Sequence, residues 1–181
     1  GIEQMYFLIN DISQFNRIEN DLSQSRQKVD LNQVIAQVRL TLKSVINSDS
    51  IVVKTPLSTF KSNSGLIQLV FQNIIENALK YNNSKHPQVT IKETSVENMI
   101  CISFEDNGIG IDNSLASKTN QVTGDHESKG VEITNRRIEI LRRLTGENLL
   151  IIGPFQMNNE KEECLGTKVI LKLGYADKFE E

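Results

Sequence analysis

The segment Asn73-Ile-Ile-Glu76-Asn77-Ala-Leu-Lys80-Tyr81 is one of the two most informative motifs of the sequence. Its two asparagines and its lysine stand at i, i+4 and i+7, so on a helix they share one face. An amide oxygen is a hard neutral ligand that suits Mg²⁺, and a lysine supplies a point charge for phosphate. Taken alone, the three residues also fit an ordinary solvated helix face, so their meaning depends on the motif that follows.

That motif is Asp106-Asn-Gly108-Ile-Gly110, directly after a predicted strand. The Asp106 carboxylate is an acceptor at the rim of the sheet, suited to a purine amino group, and the glycines allow the backbone near a flat ring. A dinucleotide-binding loop would need a third glycine at position 113, which is Asn, and no Gly-x-x-x-x-Gly-Lys-Ser/Thr loop is present. A bare turn is the alternative for this motif alone. Together the two segments make ATP the leading ligand.

Length and composition set the bounds of the interpretation. The chain has 181 residues, enough for one domain plus a helical appendage, with 38% hydrophobic and 24% charged residues. A net charge of −3 argues against nucleic-acid binding, which needs a basic face. Cys101 and Cys164 make no disulfide framework and fit a reducing compartment such as the cytoplasm. No apolar run approaches the ~20 residues that cross a bilayer, and no signal peptide is evident.

The first 26 residues carry one apolar stripe at helical spacing, with polar residues elsewhere. Its members are Met5, Leu8, Ile9, Ile12, Phe15, Ile18 and Leu22. The stripe needs a partner, either the downstream domain or a second helix in a dimeric helical bundle. The pattern begins without a helix start signal, which suggests a piece of a longer protein.

Downstream, the pattern predicts a mixture of helices and strands. The helices are expected over about 31–47 (with Asp30 as N-cap and Gln33 reaching back), 65–81 and 130–145, and the strands over 51–53, 88–95, 99–105, 149–152 and 167–173. Residues 112–129 lack periodicity and predict a long functional loop. This order predicts an α+β fold, a two-layer α/β sandwich with helices on one face of a mixed, mainly antiparallel sheet, preceded by a long N-terminal helix.

The two motifs resemble the N box and the first glycine box of the ATPases related to gyrase, a heat-shock chaperone and the histidine kinases. Gly166-Thr167, at the start of the last predicted strand, is similar to their later Gly-Thr motif. Within that superfamily, Asn rather than Glu at position 73 resembles the sensor histidine kinases, as do the segment Leu66–Asn73 and the N-terminal helix. The resemblance implies the Bergerat-type ATP-binding sandwich.

The resemblance also implies roles for individual residues. Asn77 would hold Mg²⁺ with Asn73 nearby, Lys80 would contact phosphate and Tyr81 would flank the nucleotide. Asp106 would accept from the adenine amino group, Gly108 and Gly110 would line the base, and Thr167 would support Asp106 or a bridging water. Gly130 would contribute to the phosphate site, and Glu76 is the candidate to orient or deprotonate the attacking imidazole.

Two departures from the family pattern stand out. The second glycine box reads Gly130-Val-Glu132-Ile133, so a glutamate replaces its second glycine. Backbone N–H groups there still favour phosphate, but Glu132 adds negative charge. Neither His86 nor His126 lies in the N-terminal helix beside an acidic neighbour, so the phospho-accepting histidine is expected upstream, and the chain alone is expected not to autophosphorylate.

The sequence therefore predicts the ATP-binding region of a two-component sensor histidine kinase. Residues 1–28 would be the second helix of a dimerisation and phosphotransfer hairpin, residues 29–175 the catalytic domain and 176–181 a polar tail. The implied partners are ATP, Mg²⁺, a response regulator receiver domain and a second copy bound through the N-terminal helix; the parent protein could be anchored in a membrane. The alternatives are a non-catalytic nucleotide-binding or dimerisation module, favoured by Glu132, and a serine kinase of the same superfamily.

Overall fold

A computed structural model describes residues 26–44, 46–80, 82–97, 99–111 and 148–174 of the chain. Within them, the helices are α1 (Leu31–Leu42) and α2 (Ser64–Lys80), with a short 3-10 helix over Ser48–Ser50. The strands are β1 (Gln27–Asp30), β2 (Ile51–Val53), β3 (Thr59–Ser62), β4 (Val89–Val96), β5 (Met99–Asp106), β6 (Leu149–Asn158) and β7 (Cys164–Gly174).

Five strands form the main sheet in the order β2-β4-β5-β7-β6. β2 runs parallel to β4, and every other neighbouring pair is antiparallel. β1 and β3 form a separate antiparallel pair. The α+β prediction of a mixed, mainly antiparallel sheet with helices is confirmed.

Both helices pack on one face of the sheet because the strands alternate apolar and polar side chains. In β5, Ile100, Ile102 and Phe104 are at most 2% exposed and share one core with the buried faces of α1 and α2. The rings of Phe71 in α2 and Phe104 in β5 meet edge to face, with centroids 5.2 Å apart and an 85° angle between their planes. This contact joins the helix that carries the N-box motif to the strand that ends at Asp106.

The helix starts follow from the capping residues. The Asp30 side chain accepts from the backbone N–H of Asn32, at 2.9 Å, and so begins α1. Asn63 begins α2 in the same way, its Oδ1 accepting from the Leu66 N–H at 2.9 Å. The Asp30 cap is thus as the sequence predicts.

The opposite face of the sheet is polar along its centre. The Glu105 carboxylate lies between two lysines, 2.5 Å from Lys92 Nζ and 3.1 Å from Lys168 Nζ. Glu105 pairs directly with Lys168 across β5 and β7, so the ion pair follows from the strand register. The pKa of the Glu105 carboxyl is lowered: burial alone would raise it, but the two ammonium groups outweigh that effect.

Several predicted boundaries were wrong. β1 and β3 were not predicted, because they are short and lack a clear period-two pattern. The predicted helix over 31–47 is too long: α1 ends at Leu42, before Ser44, Val45 and Asn47, which have low helix propensity. β6 continues to Asn158 past Gly153-Pro154, where a register shift between Ile152 and Phe155 accommodates the missing proline donor.

Other predictions fall outside the described residues. These are most of the N-terminal helix, the loop over 112–129, the helix over 130–145 and the tail from 176. The proposed boundary between residues 28 and 29 falls within β1. Among the described helices, none is long and apolar enough to cross a membrane.

Candidate functional site

Asp106 lies at the last position of β5, where the strand leaves the sheet. Its Oδ1 accepts from the backbone N–H of Gly108 at 2.8 Å and from that of Thr167 at 3.2 Å. Burial raises the pKa of the Asp106 carboxyl, and hydrogen bonds from Gly108 and from the backbone and side chain of Thr167 act against that rise. The carboxylate is therefore partly desolvated and held in one orientation by two separate segments.

Glycines allow these segments to approach so closely. Gly166 has φ = +130°, and a Cβ there would overlap the Asp106 carbonyl oxygen. Gly108 would place a Cβ 2.9 Å from Asp106 Oδ1. The close passage of β7 beside the Asp106 turn thus requires glycine at position 166, for both space and backbone conformation.

Gly110 is buried and packs against the β6–β7 hairpin. It has φ = +76°, and a Cβ on it would overlap the Cys164 thiol and approach Gln156 Oε1 to 2.9 Å. The Cys164 thiol donates to the carbonyl oxygen of Ile109 at 3.3 Å. Cys164 and Gln156 were not predicted as neighbours of this glycine, because nothing in a linear pattern indicates which strand will lie beside the turn.

The chain that follows α2 also reaches the Asp106 turn. Asn82 Nδ2 donates to Asn107 Oδ1 at 2.9 Å, and Asn107 accepts from the Gln88 N–H at 2.8 Å with the same oxygen. Neither Asn82 nor Asn107 was predicted to have a role. Asparagines in loops are common enough that their type and spacing alone carry no signal.

The N-box residues lie on α2 with exposure that rises toward its C-terminus. Asn73 is 9% exposed and borders the core, Glu76 and Asn77 are half-buried, and Lys80 is exposed. The amide of Asn73 therefore lies close to the apolar core, that of Asn77 lies nearer the surface, and the Lys80 ammonium is exposed. This gradient fits a ligand that is apolar or flat at one end and charged at the other.

The donor set fits magnesium bound together with polyphosphate. In the described part of the chain, no group of three or more His, Cys, Asp or Glu side chains could hold a metal ion by itself. Mg²⁺ needs few protein ligands, because it keeps water and phosphate oxygens in its octahedral shell. One amide oxygen from Asn77, next to the charge of Lys80, is the kind of protein contribution that such a site requires.

The structure thus brings Asp106, Gly108 and Thr167 into direct contact, with Gly110 on the same turn. It places Asn73, Glu76, Asn77 and Lys80 along α2, which packs on β4 and β5. Tyr81 and Gly130, and with them Glu132 and His126, lie outside the described residues. His86 is exposed in the loop after α2.

Comparison with known proteins shows the family to which the chain belongs. Residues 62–176 match the family described as histidine kinase-, DNA gyrase B- and HSP90-like ATPase. The sensor protein kinase WalK of Staphylococcus haemolyticus is 29% identical over 113 residues, which are 60% of this chain and 19% of that protein. The chain therefore spans about a fifth of the length of this curated relative.

Solved structures share the fold at low identity. Full-length ShkA in complex with AMPPNP matches with a TM-score of 0.59 and 17% identity, over 97% of this chain and 37% of that chain. Histidine kinase ThkA in complex with the response regulator protein TrrA matches with a TM-score of 0.58 and 15% identity, over 97% and 49% respectively. These matches establish the architecture.

Proposed function

We propose that this chain, which belongs to the histidine kinase-, DNA gyrase B- and HSP90-like ATPase family, is the ATP-binding catalytic region of a sensor histidine kinase. ATP would bind between the Asp106 turn and the C-terminal half of α2. The adenine would lie at the turn and the phosphates at Asn77 and Lys80. We call these the base end and the metal end of the site.

The main observation behind the proposal is the set of hydrogen bonds that the Asp106 carboxylate accepts. Two oxygens of a carboxylate accept about four hydrogen bonds, and three donors from Gly108 and Thr167 are already present. Capacity remains for one more donor, and the exocyclic amino group of adenine would supply it. A guanine base offers a carbonyl oxygen at that position, which a carboxylate repels, so the same geometry favours adenine.

At the metal end, Asn77 would supply one ligand to Mg²⁺, Asn73 would lie beside it and Lys80 would contact phosphate. Mg²⁺, when bound, neutralises charge on the phosphates during transfer. Tyr81 and Gly130 would flank the nucleotide, as the family resemblance implies. Glu76, one residue before Asn77, would orient the attacking imidazole or take its proton.

The reaction would transfer the γ-phosphoryl group of ATP to a histidine nitrogen of the parent protein. A neutral imidazole is already nucleophilic, so catalysis would rest mainly on positioning and charge neutralisation. The phosphoryl group would then pass to an aspartate of a receiver domain. Relatedness to WalK supports this assignment, and the neighbour solved with its response regulator protein supports the choice of partner.

The N-terminal residues would pair with a second copy in a helical bundle, and the domain would act in the cytoplasm. A non-catalytic module is the second candidate, because Glu132 stands where the family pattern has a glycine. A Glu132→Gly variant tests whether the charge at position 132 weakens ATP binding. Its affinity for ATP rises if the charge at position 132 is the defect, and stays the same if it is not.

Titration calorimetry with ATP, with Mg²⁺ or with a chelator, tests the proposed site. We expect Asn77→Ala to lower affinity for Mg²⁺-ATP by about 10- to 100-fold, the worth of a contact to a charged group, and to leave chelator-treated binding unchanged. Gln68→Ala is the matched control, since Gln68 lies nine residues before Asn77 and so on the opposite side of α2. Equal Mg²⁺-ATP affinity in Asn77→Ala and in the control would contradict the assignment of the metal end.

The chemistry is tested on the full-length gene product with γ-labelled ATP. An acid-labile label on the protein is expected for phosphohistidine. An acid-stable label would indicate a hydroxyl acceptor and therefore a serine kinase. Mg²⁺-dependent binding without any label would favour the non-catalytic module.

A further inference from the structure

The Asn107 side chain makes every hydrogen bond that an amide can make, although the residue is exposed. Its Oδ1 accepts from Asn82 Nδ2 at 2.9 Å and from the Gln88 N–H at 2.8 Å. Its Nδ2 donates to Ser84 Oγ at 3.3 Å and to the His86 carbonyl oxygen at 2.9 Å. Two acceptor and two donor positions are the full capacity of the group. An exposed asparagine could be hydrated instead, so this complete set of protein partners indicates a specific role.

All four partners lie in one segment, the loop over residues 82–88 that leaves the end of α2. Asn82 is the buried first residue of the described loop, and its N–H donates to the Leu79 carbonyl oxygen in the last turn of α2 at 3.3 Å. The Asn82 side chain also accepts from the Ser84 N–H at 2.9 Å. Asn82 is thus bound to the helix on one side and to Asn107 on the other.

Asn107 follows Asp106 directly, so the same contacts reach the base end. The Asn107 N–H donates to the Gln88 carbonyl oxygen at 3.2 Å, which adds a backbone link to the side-chain ones. Asn82 also lies against Gly108, where a Cβ would come within 3.5 Å of Asn82 Cγ. The end of α2 and the Asp106 turn are therefore joined through two asparagine side chains.

We propose that Asn82 and Asn107 are a positioning pair that sets the distance between the metal end and the base end. The proposal rests on the proposed function, because it concerns how one nucleotide meets both ends. Neither side chain needs to contact the nucleotide. Asp106 itself is oriented by Gly108 and Thr167, so the pair acts on the relative placement of the two ends and not on the carboxylate.

The physical reason lies in linked binding. A ligand that contacts two sites at once gains from the second contact only if the sites are held at the matching distance. A misplacement of about 1 Å is enough to weaken this gain. Adenosine contacts the base end alone and has no such requirement. Loss of the pair should therefore weaken Mg²⁺-ATP far more than adenosine.

The test measures both ligands on Asn107→Ala, Asn82→Ala and the double variant. Binding is followed by amide chemical shifts of the ¹⁵N-labelled chain, which report weak ligands such as adenosine. We expect Mg²⁺-ATP affinity to fall about 10-fold, because the two ends are no longer held at the matching distance, and adenosine affinity to change less than about 2-fold. Asn83→Ala, at an exposed neighbour in the same loop, is the control and should keep both affinities.

The ratio of the two affinities separates positioning from folding. A partly unfolded variant binds both ligands less in the same proportion, so the ratio stays constant if the asparagines serve stability alone. The double variant should lose no more than the larger single effect, because both residues belong to one connection. Additive losses would show that the two residues act separately and would overturn the pair.

An equal fall of both affinities, or no fall in either, also overturns the positioning role. In that case normal Mg²⁺-ATP binding by the unaltered chain leaves the proposed function standing. Failure of the unaltered chain to bind Mg²⁺-ATP would overturn the proposed function, and the positioning role with it. The two failures are thus distinguished by the unaltered chain.

Discussion

The metal end and the base end of the proposed site are built in different ways. At the metal end, Asn73, Asn77 and Lys80 are related by the period of one helix, and their shared direction needs no other segment. At the base end, the Asp106 carboxylate is held by β7 and by its own turn, and that turn is itself bound by the loop after α2. The metal end should therefore tolerate changes elsewhere in the fold, whereas the base end should respond to changes in any of its supports.

The largest expected effect comes from Gly166→Ala. A Cβ there overlaps the backbone of Asp106, and φ = +130° is unfavourable for alanine. Strain and overpacking together should lower the free energy of unfolding by about 2–4 kcal/mol, measured by denaturant titration. The helical Gly65→Ala in α2 is the control and should cost nothing, since alanine favours a helix. Equal stability of the two variants would contradict the close approach of β7 to the turn.

The next largest effect is expected for Asp106→Asn. The amide can still accept from Gly108 and Thr167, but it presents a donor where adenine needs an acceptor. ATP affinity should fall about 10- to 100-fold by calorimetry, the worth of a hydrogen bond to a charged group. Thermal stability near neutral pH should rise, because burial disfavours the Asp106 charge. Unchanged ATP affinity in this variant would exclude Asp106 from the base end.

Asn63→Ala changes the support of the metal end and should have a smaller effect. Loss of the bond to the Leu66 N–H removes the N-cap of α2, which costs about 1 kcal/mol of unfolding free energy. The affinity of the folded chain for Mg²⁺-ATP should stay the same, since Asn77 lies more than three turns away along the helix. Asn63→Ser should restore most of the stability. If the folded Asn63→Ala chain binds Mg²⁺-ATP less tightly, the metal end also depends on residues far from it.

The smallest effect is expected from mild acid. The pKa of Asp106 lies above its ordinary value of 3.8, because burial disfavours the charged form. Adenosine, which has no phosphate to protonate, should bind less tightly as pH falls, starting at a higher pH than for an exposed aspartate. Binding by Asp106→Asn should be independent of pH in this window.

The stability difference between Asp106→Asn and the unaltered chain also depends on pH, but it grows as pH rises. A raised pKa in the folded state means that the stability of the protonated form is lost as pH rises through that pKa. The advantage of Asp106→Asn should therefore be present at neutral pH and disappear in acid. An advantage that is constant with pH would show that the charge of Asp106 is not its cause.

The sequence was sufficient where a feature depends on local period or local capping. The α2 helix, its Asn63 cap and the β4–β5 hairpin all follow from residues within one element or its neighbours. The β1–β3 pair was missed because two four-residue strands separated by α1 leave no periodic signal. The length of β6 was missed for another reason: a proline normally ends a strand, and only the bulge opposite β7 allows it to continue.

The order of the motifs and the chemistry of Asp106, Asn77 and Lys80 were determined by the amino-acid sequence itself, because residue type and helical spacing are local properties. The groups that surround Asp106 depend instead on the tertiary fold. Thr167 comes from a strand 61 residues later, and Asn82 comes from a loop 25 residues from its partner Asn107. Such contacts depend on strand order and register, which are set by how the whole core is buried.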